Sequence, residues 1–232
     1  MIFLWNGTIV PFPAAYVNHT ERGGKRFFMQ FERLRKAEIP QAADLAARSF
    51  LDYAYFTIFI PNEKRRFRFL NTMLSVEFSI NDDRAELWTA KVDGKIIAVA
   101  MLCSPEYHKP TDSQYMKAGF WKVFLAGGIK AVSDWNAMDA EAGRPCHSRE
   151  DAWYLSLLTV DPQRKGQGIG SKMLQECIIP RIRQQGGREL TLFTNSEENR
   201  AFYQKNGMVE FHQTMISYHG KEMGSWSYYL TI

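Results

Sequence analysis

A chain of 232 residues with 45% hydrophobic and 23% charged residues is long enough for one large domain or two small ones, and no linker-like stretch divides it. Its formal net charge of +4 is too weak to argue for nucleic acid, although it suits a small polyanionic ligand. Cys103, Cys146 and Cys177 are odd in number and lack metal-type spacing, which predicts reduced thiols, no metal site and a cytoplasmic protein.

Residues 1–25 have no clear period, and Pro11 and Pro13 interrupt them. The apolar run Ile2-Phe3-Leu4-Trp5 is short, ends at Asn6-Gly7 and follows no positive charge, which argues against a signal peptide. Residues 1–27 read as an extension, flexible or loosely docked, with Met29 as an alternative start. Residues 28–232 read as a single domain. Residues 30–37 alternate Phe31, Arg33 and Arg35 with Glu32, Leu34 and Lys36, a first strand, and Pro40 opens a helix through Leu45, Ala46 and Phe50. The aromatic residues 52–56 read as buried core, with the lining of a binding pocket as the alternative. Residues 62–78 carry Phe67, Leu70, Leu74 and Phe78 at helical spacing, with Lys64, Arg65, Arg66 and Arg68 assigned to a solvated face.

Residues 85–92 and 95–102 form a strand pair around the tight turn Asp93-Gly94. Residues 104–151 are too long for a simple connection and read as a functional insertion. Within it, residues 115–138 make one or two helices broken at Gly127-Gly128, and Lys117, Lys122 and Lys130 argue against a membrane span. Residues 208–218 and 226–232 read as the last two strands.

Between them lies the stretch with the sharpest signal. The apolar run Leu155-Ser156-Leu157-Leu158-Thr159-Val160 stops at Asp161-Pro162. It is followed by Gln163-Arg164-Lys165, by Gly166, Gly168 and Gly170 at alternate positions, and by a helical segment from Ser171 to about Cys177. A buried strand, a glycine turn and a helix place unpaired backbone amides and a helix dipole at one point, the requirements of a phosphate site. A Walker loop fails, because Gly170 is followed by Ser171-Lys172 rather than Lys-Ser. A dinucleotide loop needs a third glycine where Ser171 stands, and its acidic partner Glu189 begins the next apolar run instead of ending it. A purely structural glycine turn is the remaining ligand-free alternative.

The pattern Val160-x-Pro162-x-x-Lys165-Gly166-Gln167-Gly168-Ile169-Gly170 resembles the pyrophosphate loop of the GNAT acetyltransferase superfamily. Lys165 stands in the slot that usually carries Gln or Arg. The resemblance extends downstream to Asn199-x-x-Phe202-Tyr203 and Gly207-Met208, with Met208 where the family has Phe, and covers residues 28–232. It implies an α/β fold with a mixed, twisted central sheet flanked by helices, and a helical insertion between the third and fourth strands. It also implies acetyl-coenzyme A as donor co-substrate. Backbone groups of Leu158, Thr159 and Val160 would meet the pantetheine arm, with an amide near Leu158 facing the thioester oxygen. Lys165, Gly166, Gln167, Gly168, Ile169, Gly170 and Ser171 would hold the pyrophosphate, Asn199 would bond the cofactor arm, and Tyr203 would act as general acid.

For the base the resemblance points near Ala152, and the candidates are Glu150, Asp151, Glu106, His108, Asp139, Glu141 and His147. The insertion is expected to cover the acceptor pocket, which favours a small-molecule amine. Residues 154–162 resemble the subgroup of puromycin-type and related small-molecule acetyltransferases. The alternatives are a protein or peptide N-acetyltransferase, a longer acyl donor, a non-catalytic acyl-coenzyme A sensor and, most remotely, a dehydrogenase. No nucleic acid or membrane partner is expected, and a homodimer is left open.

Overall fold

The computed structural model describes residues 16–20, 26–218 and 220–232. Among the described residues, eight strands form one sheet in the order β1-β2-β3-β4-β5-β6-β8-β7. They are β1 (Tyr16–Thr20), β2 (Arg26–Arg33), β3 (Glu86–Val92), β4 (Lys95–Cys103), β5 (Trp153–Val160), β6 (Glu189–Thr194), β7 (Val209–Tyr218) and β8 (Lys221–Thr231). All pairs are antiparallel except β5 with β6. The turn between β3 and β4 puts Asp93 at φ +50° and Gly94 at φ +74°, the double positive φ of a two-residue hairpin.

β4 is the central strand. Every residue from Ile96 to Cys103 is buried, the continuous apolar run expected when both faces of a strand are covered. Val99, Met101 and Cys103 enter the core on one face, and Ala98, Ala100 and Leu102 enter the core on the other. The first core is closed by α1 (Ile39–Ser49), α2 (Ala54–Thr57) and α3 (Glu63–Ile80), together with α4 (Asp112–Lys117), α5 (Trp121–Gly127) and α6 (Ile129–His147). The second is closed by α7 (Ile169–Lys172), α8 (Ile179–Gln184) and α9 (Glu197–Lys205).

α7 runs through a π-helical stretch, Met173–Ile178, into α8. Pro180, near the start of α8, has no amide to donate and would crowd the preceding turn of a regular helix. The wider π turn before it absorbs the mismatch. The helix therefore continues well past Cys177, where the expected segment ended.

The insertion holds three helices rather than one or two. Gly128 at φ +82° makes the break before α6. It joins β4 to β5, the fourth and fifth strands, because Tyr16–Thr20 adds a strand to the sheet. The rest of the expected extension, residues 1–15 and 21–25, lies outside the described residues. β2 begins four residues earlier than the alternation at 30–37 suggested, and β8 five residues earlier than 226.

The basic face of α3 is also corrected. Arg66 is buried, and its guanidinium donates to the carbonyls of Leu51, Ile60 and Pro61. Arg65 donates to the carbonyls of Ala126 and Gly127. Two of the four cations thus satisfy backbone acceptors, which buried carbonyls require.

Candidate active site

β5 leaves its neighbour early. It pairs with β6 only at Trp153–Leu190 and Tyr154–Thr191, while its pairing with β4 continues to Val160. A bulge at Ser156, where the register shifts between Met101 and Leu102, puts Leu155 and Leu158 on the same face. Beyond Tyr154, one edge of β5 is therefore open among the described residues.

The register says which groups face that edge. The Asp161 amide donates to the Ile97 carbonyl of β4 at 2.8 Å. Main-chain groups alternate sides with period two, so Thr159 also faces β4, and the amides of Leu158 and Val160 point to the open edge. The Thr159 hydroxyl is buried without a partner among the described residues.

The glycine loop follows directly. Asp161 caps a 3₁₀ turn (Pro162–Arg164) through the Gln163 amide. Gly166 at φ +80° and Gly168 at φ +76° then swing the chain into α7. A Cβ at either would meet nothing within 4 Å, so their role is backbone conformation. Gly170 is different: a Cβ there would lie 3.1 Å from the Phe202 ring and 3.7 Å from Val160. It is the point where α7, α9 and the end of β5 come together.

Within the loop the Lys165 and Gln167 amides are held at 3.4 Å and 3.3 Å by the carbonyls of Pro162 and Arg164. The amides of Ile169, Gly170 and Ser171 have no backbone acceptor among the described residues, and α7 has no side-chain cap. This leaves an anion-ready helix start on a helix that continues to residue 184. The Lys165 side chain pairs with Glu198 on α9 at 2.7 Å, with both groups well exposed.

α9 brings the second set of residues to the same place. Its first turn starts at Ser196, which makes no side-chain cap bond. Asn199 donates from Nδ2 to the Thr194 hydroxyl at 3.1 Å. Tyr203 is 8% exposed, packed between Phe202 and Tyr228, and its hydroxyl has no hydrogen-bond partner among the described residues. Burial, with Tyr53 and Tyr228 nearby, raises the Tyr203 phenol well above its ordinary pKa.

Leu158, Asn199 and Tyr203 line one cavity of about 250 Å³, which lies between the open edge of β5, α3 and the insertion. Of the base candidates, Asp139 and His147 line it; Glu106, His108, Glu141, Glu150 and Asp151 are exposed elsewhere. Asp139 accepts from the Tyr55 hydroxyl at 3.0 Å, and its pKa is raised, chiefly by desolvation. The same cause lowers the pKa of His147.

Glu77 of α3 also lines the cavity and was missed at the sequence level. It accepts from the Tyr115 hydroxyl at 3.1 Å and from Asn81 Nδ2 at 3.0 Å. Burial pushes its carboxyl up to about 7. Its signal was its position, three residues after Leu74 on the apolar face of the helix. Tyr53 and Tyr55 lie in the lining as well, so the aromatic stretch read as core also shapes the pocket.

Among the described residues no helix is long and apolar enough to cross a membrane, and no His/Cys/Asp/Glu group could hold a metal ion. The three cysteines are free and buried.

The model of the acetyltransferase (GNAT) domain family matches residues 83–210. No curated protein sequence matches the chain. Among solved structures, a histone acetyltransferase-related protein from Corynebacterium glutamicum superposes with a TM-score of 0.60 at 16% identity, over 85% of this chain and 93% of that one. The ribosomal-protein-S18-alanine N-acetyltransferase of Escherichia coli gives 0.52 at 16% identity, over 88% and 94%. A polyamine N-acetyltransferase of Drosophila melanogaster that forms N-acetylagmatine gives 0.51 at 15% identity, over 88% and 100%. At these identities the likeness is one of fold.

Proposed function

The chain belongs to the GNAT acetyltransferase family, and from that premise we propose that it transfers the acetyl group of acetyl-coenzyme A to a primary amine of a small molecule. The observation that carries this reading is that the unpaired edge of β5 and Tyr203, whose hydroxyl has no partner among the described residues, share one cavity, while the uncapped glycine loop lies outside its lining and directly continues β5, against α9 at Gly170 and Phe202. The residues fit the donor. Free amides at Ile169, Gly170 and Ser171 suit a pyrophosphate. Outward amides at Leu158 and Val160 suit the amide groups of a pantetheine arm, and Asn199 stands beside that edge.

The donor supplies an acetyl group activated as a thioester. The chain's own groups do the rest. The Leu158 amide faces the carbonyl oxygen as negative charge grows on it while the amine nitrogen bonds to the acetyl carbon. The carbon–sulfur bond breaks, and Tyr203, a phenol protonated at neutral pH, gives its proton to the departing sulfur. The amine's surplus proton goes to one of the cavity's titratable groups, Glu77, Asp139 or His147. Insertion residues such as Tyr115 and Trp135 form part of the cavity wall, which supports a small acceptor over a folded protein. The structural neighbours act on both kinds of substrate.

The test is thiol release from acetyl-coenzyme A with a panel of small amines and of peptides with free N-termini. Wild type should turn over small amines in preference to peptides. Tyr203→Phe should lower kcat by about 10²–10⁴-fold with little change in donor affinity. Donor binding without turnover of any amine would replace the transferase reading with a sensor.

A further inference from the structure

Glu77 reaches the cavity from α3 and Asp139 from α6. Their hydrogen-bond partners are neutral donors: Tyr115 and Asn81 for Glu77, and Tyr55 for Asp139. An ionised carboxylate has about four acceptor sites, so each keeps unused capacity. Neither forms an ion pair among the described residues. An unpaired carboxylate withdrawn from water is costly, and the cost is recovered when a cation meets it.

The other charged groups on the lining act on the two carboxylates only from a distance. The charge of Lys109 reaches both, but the side chain is exposed and forms no ion pair with either among the described residues. Desolvation lowers the pKa of His147, which favours its neutral form. Two further observations point to a ligand in this space. Tyr203, more than nine-tenths buried, presents a hydroxyl with no partner to the same cavity. Tyr53, Tyr55, Phe56 and Trp135 wall it with aromatic surface, which accommodates both an alkyl chain and a positive charge.

We infer that the acceptor carries two positive charges, a diamine or an amine with a second cationic group, with Glu77 and Asp139 as its counter-ions. This rests on the transferase reading above and narrows its substrate class. An ammonium bonded to a carboxylate inside the cavity separates a dication from a monoamine of the same length by about ten- to a hundredfold.

The test compares butane-1,4-diamine with butylamine in the thiol-release assay. The diamine should have kcat/KM higher by about tenfold or more, and Glu77→Gln or Asp139→Asn should bring the ratio toward one. Equal use of the two amines by wild type, or a diamine preference that both variants keep undiminished, would overturn the inference. Calorimetric titration of the two amines in the presence of coenzyme A reads the site without turnover. Selective diamine binding that the variants abolish supports it, and absent or unselective binding overturns it. If no amine releases thiol while the diamine still binds selectively, the transferase reading fails and the dication site stands.

Discussion

The phenol of Tyr53 lies 3.1 Å from the hydroxyl of Thr194, a residue 141 positions away, and also accepts the Asn195 amide at 2.8 Å. Thr194 in turn accepts from Asn199. One hydroxyl thus ties the segment before α2 to the end of β6 and, through Thr194, sets the amide of Asn199 beside the open strand. Tyr53→Phe leaves the Asn195 amide without its acceptor, so urea unfolding should show a loss of about 1–3 kcal/mol. Donor affinity should fall with it, because Asn199 loses its fixed orientation. Unchanged stability would mean that water replaces the phenol at no cost.

Gly168 and Gly170 should respond differently to the same substitution. At Gly168 an added methyl group has open space but the backbone sits at φ +76°, so Gly168→Ala should cost about 1–2 kcal/mol through conformation alone. At Gly170 the methyl group meets Phe202 at 3.1 Å. Gly170→Ala should therefore displace α9 and lower kcat, and Phe202→Leu should partly restore it. Identical behaviour of the two alanine variants in unfolding and turnover would contradict this division.

The Lys165–Glu198 pair holds at 2.7 Å the one cation placed in the family's Gln/Arg slot. Exposed pairs of this kind contribute about 0.2–1 kcal/mol. If Lys165 exchanges Glu198 for a phosphate, Glu198→Gln should tighten acetyl-coenzyme A binding by roughly 1.4- to 5-fold at low salt. The gain should shrink at high salt as the charges are screened. Weaker binding in Glu198→Gln would show that Glu198 positions Lys165 rather than competing for it.

Glu77 predicts a pH signature. In the unfolded chain its carboxyl loses its proton near the ordinary 4.5, whereas in the folded protein it holds the proton to about 7. The folded state therefore binds the proton more tightly, and this stabilisation, complete below about 4.5, is lost as pH rises through about 7. Tyr115, Tyr107, Cys103, Asp139 and Lys109 are the titratable groups around it. Relative to wild type, Glu77→Gln should be more stable at pH 8 than at pH 5 by about 1–3 kcal/mol. An Asp139→Asn background removes the titration of that neighbouring carboxyl, whose pKa is also raised by desolvation. Parallel stability curves for wild type and Glu77→Gln across this range would contradict the raised pKa.

The parts of the site visible in the sequence are those encoded locally. Gly166, Gly168 and Gly170 are read from spacing alone, and so is the hairpin at Asp93-Gly94. Asn199 and Tyr203 share a helix face because they are four residues apart. The hidden parts depend on contacts between distant segments. The open edge of β5 arises because pairing with β6 ends at Tyr154, and no residue of β5 announces that. Glu77 looks like a misplaced charge until Tyr115 from the insertion arrives at it. Arg66 looks like a surface cation until the loop carbonyls of residues 51–61 close over it. Tyr16–Thr20 lacks a period of its own and becomes a strand by pairing with β2.

Calorimetric titration of acetyl-coenzyme A into wild type and Gly168→Glu tests the central claim most directly. The substitution puts a carboxylate where the loop opens toward free amides. Wild type should bind, and the variant should lose about a hundredfold or more in affinity while keeping its fold by circular dichroism. Equal binding by both proteins would place the donor away from the glycine loop, and no binding by folded wild type would remove the basis for acetyl transfer by this chain.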